Sequence, residues 1–110
     1  MAYDHELADR LRTALQDVDG VQEKAMFGGL AFLVGGHMAV AASGQGGLMV
    51  RCDPARTGEL LAGGEAEPMV MRGRETDGWL RVAADRVDTD GALQRWVDTG
   101  VAYAASLPPK

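Results

Sequence analysis

Cys52 and His37 are the residues whose chemistry would matter most if the fold brought them together. If a strand His37–Ala42 pairs antiparallel with Gly47–Cys52 across the turn Ser43–Gly46, Ala42 faces Gly47 and His37 faces Cys52. A thiolate–imidazole pair would follow, with Asp53 close enough to orient the ring. Nucleophilic catalysis needs a third group and an oxyanion site as well. The same residues read more simply as a small buried cysteine at a strand end, a solvated histidine in a turn and a helix-capping aspartate.

Other chemistries find less support. His5 and His37 sit on different elements, and neither H-x-x-x-H nor C-x-x-C spacing occurs, so no metal site is expected. Glu65 and Glu67, and the group Asp85, Asp88 and Asp90, lack the ligand spacing of a calcium loop and read as solvated turns and helix-start charges. The pairs Gly28-Gly29, Gly35-Gly36, Gly46-Gly47 and Gly63-Gly64 invite a phosphate-loop reading. Such a loop joins a strand to a helix N-terminus. Here the first three pairs lead into strands and the last follows a helix, which makes them turns and a C-cap, and no cofactor is expected. No catalytic residues are therefore assigned.

Arginines form the more interesting group. Arg72, Arg74 and Arg81 share one expected hairpin and Arg51 ends an earlier strand. Gathered on an open sheet face they would bind phosphate, nucleic acid or an acidic protein surface. Glu75 and Asp77 lie beside them and Trp79 is the sole interleaved aromatic, so an ion-paired surface is the favoured reading. Phe27, Phe32, Trp79 and Trp96 are assigned to the core. Met26, Met69 and Met71 suit either an adaptable docking surface or gap-filling in the core, with the core favoured.

The elements that must position these residues follow from periodicity. Leu7, Leu11, Ala14, Leu15 and Val18 recur at helical spacing, giving a helix over Asp4–Val18 with Asp4 as its cap. From Val21 the period is two: Val21, Glu23, Ala25 and Phe27 share one face, and Gln22, Lys24 and Met26 the other. Strands follow at Leu30–Val34 and His37–Ala42, joined at Gly35-Gly36 by a type I′ turn, and then at Gly47–Cys52. Asp53-Pro54 starts a short helix that ends at Gly63-Gly64. Pro68–Arg72 and Trp79–Ala83 form a hairpin around a loop over Gly73–Gly78. A last helix over Asp90–Leu107 buries Leu93, Trp96, Val97, Gly100, Val101 and Ala104 and stops at Pro108-Pro109. The order α-β-β-β-β-α-β-β-α predicts a two-layer α+β domain, with an antiparallel sheet of about five to six strands and helices packed on it.

Length and composition fit that picture. A chain of 110 residues with 46% hydrophobic types builds one domain spanning residues 1–110. A net charge of −5 gives no whole-molecule attraction to nucleic acid or anionic membrane. A single cysteine excludes an internal disulfide and fits a reducing cytoplasm. Residues 1–12 lack the apolar core of a signal peptide, and no apolar run approaches the ~20 residues that span a bilayer. The chain has no Ile or Asn and two lysines against nine arginines, the usage of a GC-rich bacterial genome.

With the elements in order, the sequence resembles the N-terminal domain of the TfoX/Sxy family, the bacterial competence regulators. The resemblance rests on the opening Leu7/Leu11/Leu15 helix and on Glu23-Lys24-Ala25-Met26-Phe27-Gly28-Gly29-Leu30-Ala31-Phe32. Met38, Leu48-Met49-Val50-Arg51, Gly78-Trp79, the Leu93/Trp96 helix and the ending Ser106-Leu107-Pro108-Pro109-Lys110 continue it. It implies a two-layer α+β domain and a non-enzymatic role in regulating transcription, since the competence regulators act with the cyclic-AMP receptor protein on DNA-uptake genes. Those regulators carry a helical C-terminal domain beyond this one, so a chain ending at Lys110 is expected to be a stand-alone N-terminal domain. Met26, Phe27, Gly28 and Gly29 match the family motif, and strand packing and a turn account for them. The resulting expectation is a cytoplasmic regulatory adaptor with a protein partner, possible transcription machinery among its contacts, and no membrane association. Direct nucleic-acid binding through Arg51, Arg72, Arg74 and Arg81 is the alternative, a Cys52/His37 enzyme a more distant one, and a homodimer is compatible with the sequence.

Overall fold

The structure, a computed structural model, describes residues 3–26, 28–71 and 73–108. Helix α1 (His5–Ala14) begins at its expected cap: the Asp4 carboxylate accepts hydrogen bonds from the Glu6 and Leu7 amides at 3.0 and 3.1 Å. These are two of the donors a helix start leaves unpaired. The helix ends four residues before Val18. The poor helix formers Asp17, Asp19 and Gly20 follow, and residues 15–18 form a turn in which Leu15 and Val18 still reach the core.

Six strands follow: β1 (Val21–Met26), β2 (Gly29–Val34), β3 (His37–Ala42), β4 (Leu48–Arg51), β5 (Glu67–Met71) and β6 (Arg74–Val82). Between β4 and β5 lie a 3₁₀ turn over Pro54–Arg56 and helix α2 (Thr57–Ala62), and after β6 comes helix α3 (Asp90–Ser106). The sheet is fully antiparallel in the order β1-β2-β3-β4-β6-β5, leaving β1 and β5 as its edges. The α+β class and element order are those the sequence predicts. The β2–β3 hairpin turns at Gly35-Gly36 with φ of 61° and 85°, as a type I′ turn requires.

A second expected boundary is also wrong. Residues 74–78 are strand, not loop, because β6 runs nine residues and the hairpin turn sits before Arg74. Asp77-Gly78 carries turn chemistry, but Gly78 instead forms a kink inside the strand, at φ 88°. The Cys52 amide donates to its carbonyl at 2.8 Å, and its own amide donates to Thr57 Oγ1 at 2.8 Å. A Cβ there would sit 3.2 Å from Pro54 Cγ, so the glycine marks a close approach of another segment.

All three helices cover one face. Leu30, Phe32, Val40, Ala42, Leu48, Val50, Leu80 and Val82 point from the sheet toward Leu7 and Leu11 of α1, Leu60 and Leu61 of α2, and Leu93, Trp96 and Val97 of α3. The β2–β3 register shifts between Phe32 and Leu33, so Ala39 is an extra residue on β3 and packs against Ala104 of α3. At this bulge α3 lies directly on the strand: a Cβ on Gly100 would overlap the Ala39 carbonyl and stand 3.0 Å from Val40 Cγ1. Outside the core, the Arg12 guanidinium grips Glu23 of β1 with two parallel bonds of 2.8 and 2.9 Å.

Two predictions follow from this packing. Gly100→Ala forces backbone against backbone and should lower unfolding free energy by about 1–3 kcal/mol. Gly91→Ala, in open space on the same helix, should be neutral or stabilising by up to about 1 kcal/mol; urea unfolding of both measures the contrast. The hydrogen bond from Arg12, reinforced by its charge, holds the Glu23 carboxyl below its ordinary value of 4.5, against a smaller opposing effect of burial. A carboxyl depressed in the folded state stabilises the fold above its unfolded pKa, and that contribution vanishes as the pH falls through the folded value. Below pH 4.5, urea midpoints should therefore fall more steeply for the native sequence than for Glu23→Gln.

Candidate functional site

The structure does not assemble the cysteine–histidine pair. Ala42 pairs with Leu48 and Val40 with Val50, a register one residue away from the one that would set His37 opposite Cys52. Cys52 is 1% exposed on the helix side of the sheet, its Sγ 3.9 Å from Thr57 Oγ1. Burial pushes its thiol pKa up, with the Thr57 contact opposing weakly, the reverse of an activated nucleophile. The His37 ring Nε2 instead meets the Pro108 carbonyl at 2.7 Å, tying β3 to the end of α3. Asp53 caps the Pro54 turn by accepting from the Ala55 amide. Among the described residues no three His, Cys, Asp or Glu side chains cluster to hold a metal, and no helix is long and apolar enough to cross a membrane.

The arginine patch is partly assembled. Arg51 and Trp79 are cross-strand partners, as are Met49 and Arg81; alternation sets Arg81 on the face opposite the helices. Arg51, by contrast, ends β4 and turns its guanidinium to the end of the sheet, against Tyr103 of α3. Arg74 lies at the far end of β6, beside the β5–β6 turn, and Arg72 lies outside the described residues. The Arg51 guanidinium carbon sits 5.1 Å from the Trp79 ring centroid and 5.4 Å from that of Tyr103 on α3. Cation–π attraction to both rings holds this cation where β4 ends, which gives Trp79 a surface role in place of its expected core role. Arg81 donates to Gln45 Oε1 at 3.1 Å and to the Gly46 carbonyl at 3.4 Å. Ion pairs among the described residues use Arg10, Arg12, Arg56 and Arg95, none of them in this group.

The methionines decide the character of this face. Met26, Met38, Met49 and Met69 line an open groove of about 530 Å³ on the side without helices. The favoured gap-filling role is corrected for Met26, while Met69, 7% exposed, is buried as expected and only edges the groove. Val70 of edge strand β5, 58% exposed, extends the groove. The floor is made of small residues. Ala41 is 4% exposed, and a Cβ on Gly29 would overlap the Ala42 carbonyl and crowd the Gly44 nitrogen at 3.0 Å. Gly29 thus has a steric reason to be glycine, Met26 of the same motif lines the groove, and Phe27 lies outside the described residues. The sequence carried a trace of this face: methionines at 26, 38 and 49 fall on the phases of β1, β3 and β4 opposite the large aliphatic residues.

These features define an α+β domain whose antiparallel sheet is closed by helices on one side and presents an apolar, arginine-flanked groove on the other. The description that fits the chain among known families is the TfoX N-terminal domain, matched over residues 13–104; the chain belongs to that family. No curated protein matches it.

The burial of Cys52 is directly testable. At about pH 8, where an exposed thiol is substantially ionised, a thiol reagent should label the native protein slowly and the urea-unfolded protein at once. His37→Ala should leave the native rate unchanged; rapid native labelling that this variant slows would restore the pair.

Proposed function

We propose that this chain is a non-enzymatic regulatory domain of bacterial transcription control, working in the cytoplasm by docking a partner protein on the open face of its sheet. The observation that carries the reading is the methionine-lined groove, with its floor of small residues, on the face that no helix covers. Methionine side chains are unbranched and polarisable, and surfaces rich in them accommodate partners of varied shape. Membership of the TfoX N-terminal domain family supports a competence-regulator-like role. The buried Cys52 and the separate engagement of His37 support a binding role over a catalytic one.

Direct nucleic-acid binding is the competing reading, favoured by one observation, the pairing of a cation with aromatic rings at Arg51 and Trp79. Affinity capture from a host lysate, with and without nuclease, separates the two. A protein partner should persist after nuclease on the native domain and be lost on Met49→Glu, a variant whose unfolding midpoint should stay close to native because the side chain stands on the open face. Loss of every partner on nuclease treatment, or capture unchanged by Met49→Glu, would overturn the proposal.

A further inference from the structure

We infer that the open face is a redox-controlled site, at which hydrogen peroxide converts Met26, Met38 and Met49 to sulfoxides and prevents docking. The inference rests on reading this face as a docking surface. Strands β1, β3 and β4 each contribute one of the three methionines, and all three are part-exposed along one groove. Other sulfur is less accessible: Cys52 is 1% exposed and Met69 7%, so the thiol, the usual first target of an oxidant, is out of reach. The choice of residue points the same way. Strand positions favour β-branched and aromatic side chains, and valine or leucine would make an apolar docking surface too. Methionine adds flexibility and one property that those residues lack, reversible oxidation.

The thioether sulfur takes one oxygen of hydrogen peroxide as the O–O bond breaks, and the proton on that oxygen passes to the departing hydroxide to give water. Sulfur is oxidised by two electrons and the peroxide is reduced by two. Restoration uses a dithiol reductant, which removes the oxygen as water and closes to a disulfide. Methionine sulfoxide reductases supply that chemistry, one enzyme for each sulfoxide epimer.

A sulfoxide oxygen finds few donors in this groove. Ala41 of the floor lies on β3, a strand paired on both sides, which keeps its backbone groups within the sheet. Arg81, the cross-strand partner of Met49, already donates to Gln45 and to the Gly46 carbonyl. In the free domain the new oxygen turns to water, and the fold stays in place because the helical core lies on the other face. Beneath a partner the oxygen is cut off from water, and burying it without a hydrogen bond weakens docking about tenfold or more. An occupied groove excludes peroxide, so the switch acts on the free domain, before docking.

The test compares three forms of the full chain in lysate capture: untreated, treated with dilute hydrogen peroxide and quenched, and treated then incubated with methionine sulfoxide reductases and a dithiol. Peptide mass spectrometry should place sulfoxide at Met26, Met38 and Met49 before Met69. Partner recovery should fall about tenfold or more on oxidation and return on reduction, while the urea midpoint stays close to that of untreated protein. The triple variant Met26→Leu, Met38→Leu and Met49→Leu, scored against its own untreated form, should show no such fall. Recovery undiminished by oxidation of all three methionines, a loss that the reductases do not restore, a loss that tracks unfolding, or an equal loss in the triple variant would overturn the inference. The broader reading fails separately. Capture that is lost on Met49→Glu but indifferent to peroxide leaves the docking face standing without its switch, whereas capture indifferent to Met49→Glu removes the face and the switch with it.

Discussion

The missing side chain at Gly100 sets the distance between the two layers. With no Cβ there, α3 rests its backbone on the Ala39 carbonyl and on Val40, at the point where β3 carries its extra residue. That height brings Leu93, Trp96 and Val97 into the core and lets α1 lean on α3, with Gln94 donating to the Ala14 carbonyl at 3.4 Å. The layer is apolar enough that the indole N–H of Trp96 is buried without an acceptor among the described residues. The same placement carries Tyr103 to Arg51 and Pro108 to His37, so the end of α3 reaches two residues that sequence spacing assigns to quite different roles.

Closing one face so tightly leaves the other to be explained. A sheet with an apolar face is stable when another layer covers it, and here three helices are spent on one side. The open side manages its exposure with small residues in the middle, flexible methionines around them, and Arg81 and Glu67 at the rim. Edge strand β5 carries Pro68 and the charged Glu67, features that discourage pairing with other sheets. The surface is thus guarded at its β5 edge and receptive on its face.

Much of this was legible in the sequence because local physics dictated it. Helical periodicity placed α3 to within a residue, and paired glycines fixed the β2–β3 turn. Asp4 and Asp53 announced the caps they make. The failures have physical causes. Asp77-Gly78 looks like a turn in isolation, but the Pro54 segment packing against it is a tertiary fact. The register of β3 with β4 depends on how the Ser43–Gly47 turn closes, here with the Ser43 amide bonded to the Gly47 carbonyl, and one residue of slip removed His37 from Cys52. Period-two alternation sorted residues into two faces without saying which face the helices would cover, so Met26 was assigned to the core when it lines the open side. The Arg51, Trp79 and Tyr103 contact joins three elements, and no local pattern announces it.

Oxidative footprinting of the methionines tests the division of the two faces most directly. Brief peroxide treatment of the dilute native protein, mapped by mass spectrometry, should convert Met26, Met38 and Met49 to sulfoxides, and a bound partner should protect all three together. Methionines that resist oxidation in the free protein, or that stay reactive once the partner is bound, would contradict an open docking face.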